Sequence, residues 1–365
     1  MKLSKTLLIF FLIGLISCEK EPVQDDTPED PIAPLEIFDL VGQLQLNEGP
    51  HDLVVSGNHA FASRNDIISV INLSDPSNPT LLTSINDLLE SNNFESMAIS
   101  NNILYAGCTS SGSIYMIDIT NPSSPSILGK FNDIIYSTIR ISPMSLFIDG
   151  NTLWAGGSNG SNGMIVKFLI NSQNSLTVQD YWVSNETGSA IGGIWANSSN
   201  AFISTANGFI HSFAANNLTG GPLDSFTFTN EAGHEHWGKA LVGKNSKLYW
   251  ADWGAGFVTI DISNPSNLTS SAILTHSSFI TQHPEAEGTN VYDIAMKANG
   301  EIYLANGWSG LVRLHESAPG IVEDYVDYQY HQNYCMALYD KYAIMGNISG
   351  GISGNEKGIK IIKIE

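Results

Sequence analysis

The chain has 365 residues, 42% of them hydrophobic and only 14% charged, with 36 Asp and Glu against 16 Lys and Arg and a formal net charge of -20. So acidic a chain repels nucleic-acid phosphates and anionic lipid headgroups, which excludes binding driven by either. The apolar share, with plentiful Gly, Asn and Ser, excludes disorder and suits a β-rich globular protein with many turns.

The first residues read as an address. Lys2 and Lys5 form a basic start, Leu7–Ile16 a short apolar core, and Leu15-Ile16-Ser17-Cys18 the close. The apolar run is too short to span a bilayer comfortably, so a secretory signal over 1–17 is predicted. The closing tetrad resembles the lipobox of bacterial lipoproteins, which implies cleavage and lipidation at Cys18. Residues 18–34 are acidic and proline-rich with few apolar side chains, the composition of a solvated tether. An acidic run behind such a cysteine resembles the surface-export signal of some Bacteroidetes lipoproteins. The expected location is therefore the cell envelope, on the periplasmic or the surface-exposed leaflet of the outer membrane, with the lipid as the sole membrane contact. Cys108 and Cys335, the remaining cysteines, fall in non-adjacent repeats and are expected to be buried free thiols.

From Leu35 onward the chain repeats. Ile68–Leu82, Gly112–Phe131 and Phe257–Leu274 each hold two alternating apolar runs joined by a turn rich in Asn, Pro and Ser, the pattern of an antiparallel hairpin. A wider rhythm of aromatic-plus-small strands carries anchors at Phe61, Tyr105, Trp154, Phe202, Tyr249, Tyr303 and Ile344. These recur every 41–54 residues, close to the roughly 40–50 that four short strands need and to the period of a propeller blade. Seven anchors predict seven blades. The last unit ends at Gly358–Glu365 with a third strand and no fourth, while Leu35–Leu46 is a spare strand before the first unit. Pairing the two predicts an all-β fold, a single seven-bladed β-propeller over 35–365 closed by its N-terminal strand.

The strands Ser69–Leu73, Tyr115–Ile119 and Val258–Ile262, each followed by an Asn-Pro or Asp-Pro turn, resemble the LVIVD-repeat family. That resemblance implies a β-propeller, commonly secreted or membrane-anchored, and no particular activity. The recurring polar residue at the end of these strands (Asn72, Asp118, Asp261) is expected to cap the turn that follows rather than to do chemistry.

Gly156-Gly157-Ser158-Asn159-Gly160 matches a nucleophile pattern, but strand and not helix follows it, so it reads as a loop. No metal-binding, phosphate-binding or dinucleotide motif appears, and no cofactor is expected beyond a possible divalent metal. The chemistry-bearing residues gather in the connections that enter each new blade and in the second-to-third-strand turns, which share one face of a propeller. His51, Glu95, His236, Asp293 and His331 are candidate metal ligands or acid–base groups, since imidazole and carboxylate suit a divalent ion. Trp195, Trp237, Trp253 and Trp308, with Asp252 and Asn306, are a candidate platform for a glycan or peptide, because aromatic faces stack and a polar rim hydrogen-bonds.

The reading is a non-enzymatic envelope lipoprotein that binds a glycan or an envelope protein on its loop face. The competing reading is a metal-dependent enzyme with its site at the channel mouth.

Overall fold

The computed structural model describes residues 38–86, 93–133, 135, 140–172, 175–275, 277–278, 290–307, 310–317, 320–327, 333–347 and 357–365. The signal, the tether with Cys18, Trp308 and His331 lie outside the described residues. The chain divides into a unit over Met1–Glu36 and a second over Ile37–Glu365. All that follows concerns the second.

Strand β1 (Asp39–Gln45) precedes the first blade, which is β2 (Asp52–Ser56), β3 (His59–Arg64), β4 (Ile67–Asn72) and β5 (Thr80–Asn86). The second blade is β6 (Phe94–Ser100), β7 (Ile103–Cys108), β8 (Ser113–Asp118) and β9 (Ser126–Phe131). The third is β10 (Ser142–Asp149), β11 (Thr152–Ser158), β12 (Asn162–Ser172) and β13 (Ser175–Thr187). The fourth is β14 (Ile191–Ala196), β15 (Asn200–Thr205), β16 (Ile210–Ala214) and β17 (Asp224–Phe226). The fifth is β18 (Gly238–Lys244), β19 (Lys247–Asp252), β20 (Gly256–Asp261) and β21 (Thr269–Leu274). The sixth is β22 (Val291–Met296), β23 (Ile302–Asn306), β24 (Gly310–Ser317) and β25 (Gly320–Asp327). The seventh takes β26 (Asn333–Tyr339), β27 (Tyr342–Asn347) and β28 (Gly358–Lys363) from the end of the chain, and its outer strand is β1.

Each blade is a four-stranded antiparallel sheet with its strands in chain order, apart from the seventh, where β1 pairs along β28 from Asp39–Lys363 to Gln45–Gly358. The innermost strands touch in sequence from β2 through β6, β10, β14, β18 and β22 to β26, and β26 returns to β2. The ring is therefore closed by its two ends, as the missing and spare strands predict. The anchors sit on the second strand of each blade and are almost wholly enclosed.

Seven apolar clusters fill the wedges between neighbouring blades. Between the first and second blades, Phe61, Val70, Met97, Leu104 and Tyr115 pack together. Between the seventh and first, Ile344, Ile359 and Ile361 meet Leu53, Ala60 and Ile71. Burying such a side chain contributes about 1.5–3 kcal/mol, so each wedge is a substantial adhesive between sheets.

The repeated turns have the expected structural role. Asn72 accepts the Ser74 N–H at 2.9 Å, Asp118 that of Thr120 at 2.8 Å and Asp261 that of Ser263 at 2.8 Å. The Asn-Pro turns also reach back to the blade before them. The Ser212 hydroxyl in β16 donates to the Pro265 carbonyl at 2.5 Å, and the Asp224 carboxylate in β17 accepts the Leu268 N–H at 2.6 Å. Gly42 of β1 lies so close to the turn of the first blade that an added Cβ would stand 2.0 Å from the Pro76 carbonyl oxygen.

Cys108 and Cys335 are buried thiols outside any disulfide, as expected. Ser158 ends β11 and a turn leads straight into β12, so the Gly-x-Ser-x-Gly text is a strand-to-strand connection. Among the described residues, no helix is long and apolar enough to cross a membrane.

Candidate ligand site at the channel mouth

A shared irregularity builds the site. Six innermost strands carry a register shift at corresponding places, between Phe94 and Ser96, Pro143 and Ser145, Ile191 and Gly193, Gly238 and Ala240, Val291 and Asp293, and Asn333 and Cys335. A bulge leaves one extra residue outside the ladder and turns it away from the pleat. The extra residues here are Glu95, Met144, Gly192, Lys239, Tyr292 and Tyr334, and all six line one cavity on the channel axis. In the first blade His51 takes the equivalent place, its N–H donating to the Ser63 carbonyl at 2.7 Å just before β2 begins. Every blade thus contributes one residue to a ring.

The cavity encloses about 450 Å³, enough for one or two sugar rings or a short side chain. Its lining is polar near the entrance, with Asp52 and Asp293 beside the ring, and apolar further along the strands at Met97, Leu146, Ile194, Leu241 and Ile294. Gly192 and Gly193 allow the fifth blade to close in. A Cβ on Gly192 would lie 2.1 Å from the Gly238 oxygen, and one on Gly193 would lie 2.8 Å from that of Lys239.

Asp52 and Asp293 are fastened across blade boundaries. Asp52 accepts the N–H of Leu53 at 2.8 Å and that of Met97, in the next blade, at 2.5 Å. Asp293 accepts from Ile294 at 2.8 Å and from Met336 of the seventh blade at 2.9 Å. Burial raises the Asp52 carboxyl to about 6 against those two bonds. Burial, with the charge of Asp52, raises Asp293 to about 7. Burial, assisted by Arg64 and Lys239, holds the His51 imidazole down at about 4, so it is neutral at pH 7.

Glu95 is oriented by its own blade, accepting from the Asn93 amide at 2.5 Å and from the Thr109 hydroxyl at 3.4 Å. The Lys239 ammonium lies 5.6 Å from the ring centre of Trp237 and 5.5 Å from that of Tyr292. The Tyr292 and Tyr334 rings sit 4.0 Å apart, and burial with a hydrogen bond to Tyr292 pushes the Tyr334 phenol up to about 12. Trp237 stands at the rim and is 41% exposed.

Of the residues expected from sequence, His51, Glu95, Asp293 and Trp237 meet in this cavity. His236 does not. Its Nδ1 is 2.5 Å from the Asp252 carboxylate, and its ring is enclosed by Phe228 and Trp250. Asp252 is fully buried and also accepts the Trp237 N–H at 2.8 Å, so it anchors the rim from behind. Burial raises its carboxyl, with His236 and the Trp237 N–H opposing the shift. Asn306 is likewise buried and accepts the Asn290 N–H.

Trp195 falls near the far end of β14, away from the handover loops, where it packs on Phe202 and over Gly243. Trp253 holds a turn at φ +23°, and its carbonyl accepts the Val291 N–H at 3.0 Å. Among the described residues, no three His, Cys, Asp or Glu side chains group as a metal site. Lys239, Tyr292 and Tyr334 are members of the ring that sequence reasoning passed over. Their signal was positional, two or three residues before the apolar centre of each first strand.

These features define a class: a seven-bladed β-propeller with a ligand-sized opening ringed by one residue from every blade. Within that class the chain carries LVIVD repeats, the family model so described matching residues 50–87, 95–133 and 248–275, in the first, second and fifth blades. No curated protein matches the chain in sequence. Among solved structures it is similar to the WD40 repeats of RRP9, with 10% identity, TM-score 0.68 and coverage of 90% of this chain and 100% of that one. It is also similar to virginiamycin B lyase from Staphylococcus aureus, with 14% identity, TM-score 0.62 and coverage of 90% and 99%. A computationally designed protein, Ika8, shares 14% identity at TM-score 0.56, covering 90% and 100%. At such identities the likeness is one of fold.

Proposed function

We propose that this protein is a non-enzymatic binding protein of the cell envelope, lipid-anchored at Cys18, that takes the end of a glycan at the mouth of its channel. The observation that carries the reading is Trp237, a large aromatic side chain exposed at the rim of the cavity. Aromatic faces stack on the C–H faces of sugars, while the polar groups around them bond the hydroxyls. Here Lys239, Tyr292, Tyr334 and Glu95 supply donors and acceptors on rigid strands, so little ordering entropy is lost on binding. The signal-like start, the Leu-Ile-Ser-Cys tetrad and the acidic tether support the envelope location. A glycan array probed with the full chain tests the reading. Trp237→Ala is expected to weaken binding at least about tenfold. Unchanged binding by that variant would refute it.

One observation favours a second reading. His51, Asp52, Asp293, Lys239 and Tyr334 all have shifted proton affinities and share one cavity, as acid–base groups in enzymes do. Cleavage of a bound glycan by the full chain, lost in Asp293→Asn, would establish an enzyme. Recovery of the glycan intact would establish the binding protein.

A further inference from the structure

The walls of the cavity differ in how completely their polar groups are used. Asp52 and Asp293 each accept two backbone N–H groups, and Glu95 accepts from Asn93 and Thr109. Lys239 is the exception. Among the described residues no acceptor takes a hydrogen bond from its ammonium, which lies over the rings of Trp237 and Tyr292 with the charges of Glu95 and Asp293 acting on it from farther off. Contact with aromatic faces eases the charge but leaves all three N–H donors without oxygen partners. Among the described residues lining the cavity, Lys239 is also the single Lys or Arg.

A half-buried cation with open donors is matched by an anionic acceptor, because charge-assisted hydrogen bonds are about twice as strong as neutral ones. The carboxylates already present make no hydrogen bond to Lys239: Asp52 and Asp293 are turned to backbone donors, and Glu95 Oε1 to Asn93 and Thr109. Resting on the glycan reading above, we infer that the sugar residue at the channel mouth bears a carboxylate and that Lys239 is the group that recognises it. The sugar packs at Trp237 with its carboxylate turned toward the ammonium that lies over that ring. The net charge of -20 does not forbid this, because distant surface charges are screened over about 8 Å at physiological ionic strength whereas Lys239 acts at contact. Burial lowers the proton affinity of Lys239, with Glu95 and Asp293 opposing, so an anion arriving beside it restores stabilisation that desolvation removed.

The test is calorimetric titration of the full chain with methyl galacturonoside and methyl galactoside, which differ by one carboxylate, repeated with the glucuronide and glucoside. Wild type is expected to bind the acid sugar of at least one pair about tenfold tighter than its neutral partner, a preference that Lys239→Met abolishes. Methionine keeps an unbranched stem between the two rings, and an unchanged thermal midpoint confirms that the variant is folded. Equal binding of both members of a pair by wild type would overturn the inference while leaving the glycan reading intact. An acid preference that survives in Lys239→Met would also overturn it. Failure of wild type to bind any of the four sugars, or any array glycan, would remove the glycan reading and this inference together.

Discussion

At Asp293 the protein holds a carboxyl whose proton affinity, at about 7, lies far above the ordinary 3.8. The native state therefore binds that proton more tightly than the unfolded chain. Its contribution to stability is complete below about 3.8 and is lost as pH rises through about 7. Asp52 acts in the same sense, its contribution lost as pH rises from 3.8 through about 6. His51 acts oppositely: held at about 4 against an ordinary 6.5, it contributes above 6.5 and loses that contribution as pH falls through about 4. Asp293→Asn keeps an acceptor for one backbone N–H and cannot ionise. It is expected to gain on wild type between pH 5 and 8 by on the order of 2 kcal/mol, measured as the difference between the two unfolding curves against pH. An identical pH dependence in both proteins would show that Asp293 is an ordinary carboxylate. Asp252→Ala leaves the His236 imidazole and the Trp237 N–H without their acceptor, and about 1–3 kcal/mol of stability should go with it in denaturant unfolding.

The elements most exposed to single substitutions are those that meet backbone to backbone. Gly192 lets β14 approach β18, and an alanine there would set its Cβ 2.1 Å from a carbonyl oxygen that belongs to a strand and cannot swing aside. Gly192→Ala is expected to cost about 1–3 kcal/mol and to weaken ligand binding as well, since the strand it displaces carries Lys239. Denaturant unfolding and ligand titration of the same variant check both. If stability falls while affinity holds, β18 does not set the position of the lysine. Gly42→Ala is the control at the opposite side of the ring, with a comparable loss of stability through the Pro76 turn and no change in affinity.

For the whole molecule, closure is the decisive property. The seventh blade joins both ends of the chain, so β1 covers an edge of β28 that would otherwise present unpaired backbone groups to a second molecule. A chain shortened to begin at Glu48 should lose its sharp thermal transition and associate in size-exclusion chromatography. A monomeric, cooperatively melting product would show that the remaining wedges suffice.

The fold was legible in the amino-acid sequence because a propeller is a repetition. The alternation of apolar residues and the buried second strand return with each blade, the Asx-capped turn returns in the first, second and fifth, and local rules set each of them. Phe61, Tyr105 and Trp154 could be recognised as equivalents without knowing what they touch. The spare strand at Leu35–Leu46 and the missing one after Glu365 implied closure by counting alone. The site was legible only in part. His51, Glu95 and Asp293 could be picked out as polar residues where a blade begins, but His236, with the same local signal, turns into the wall to bond Asp252. Only the tertiary structure decided which residues meet, because the channel lining depends on where each inner strand bulges, and a bulge moves one residue by one position in the pleat. That displacement places Lys239, Tyr292 and Tyr334 in the ring.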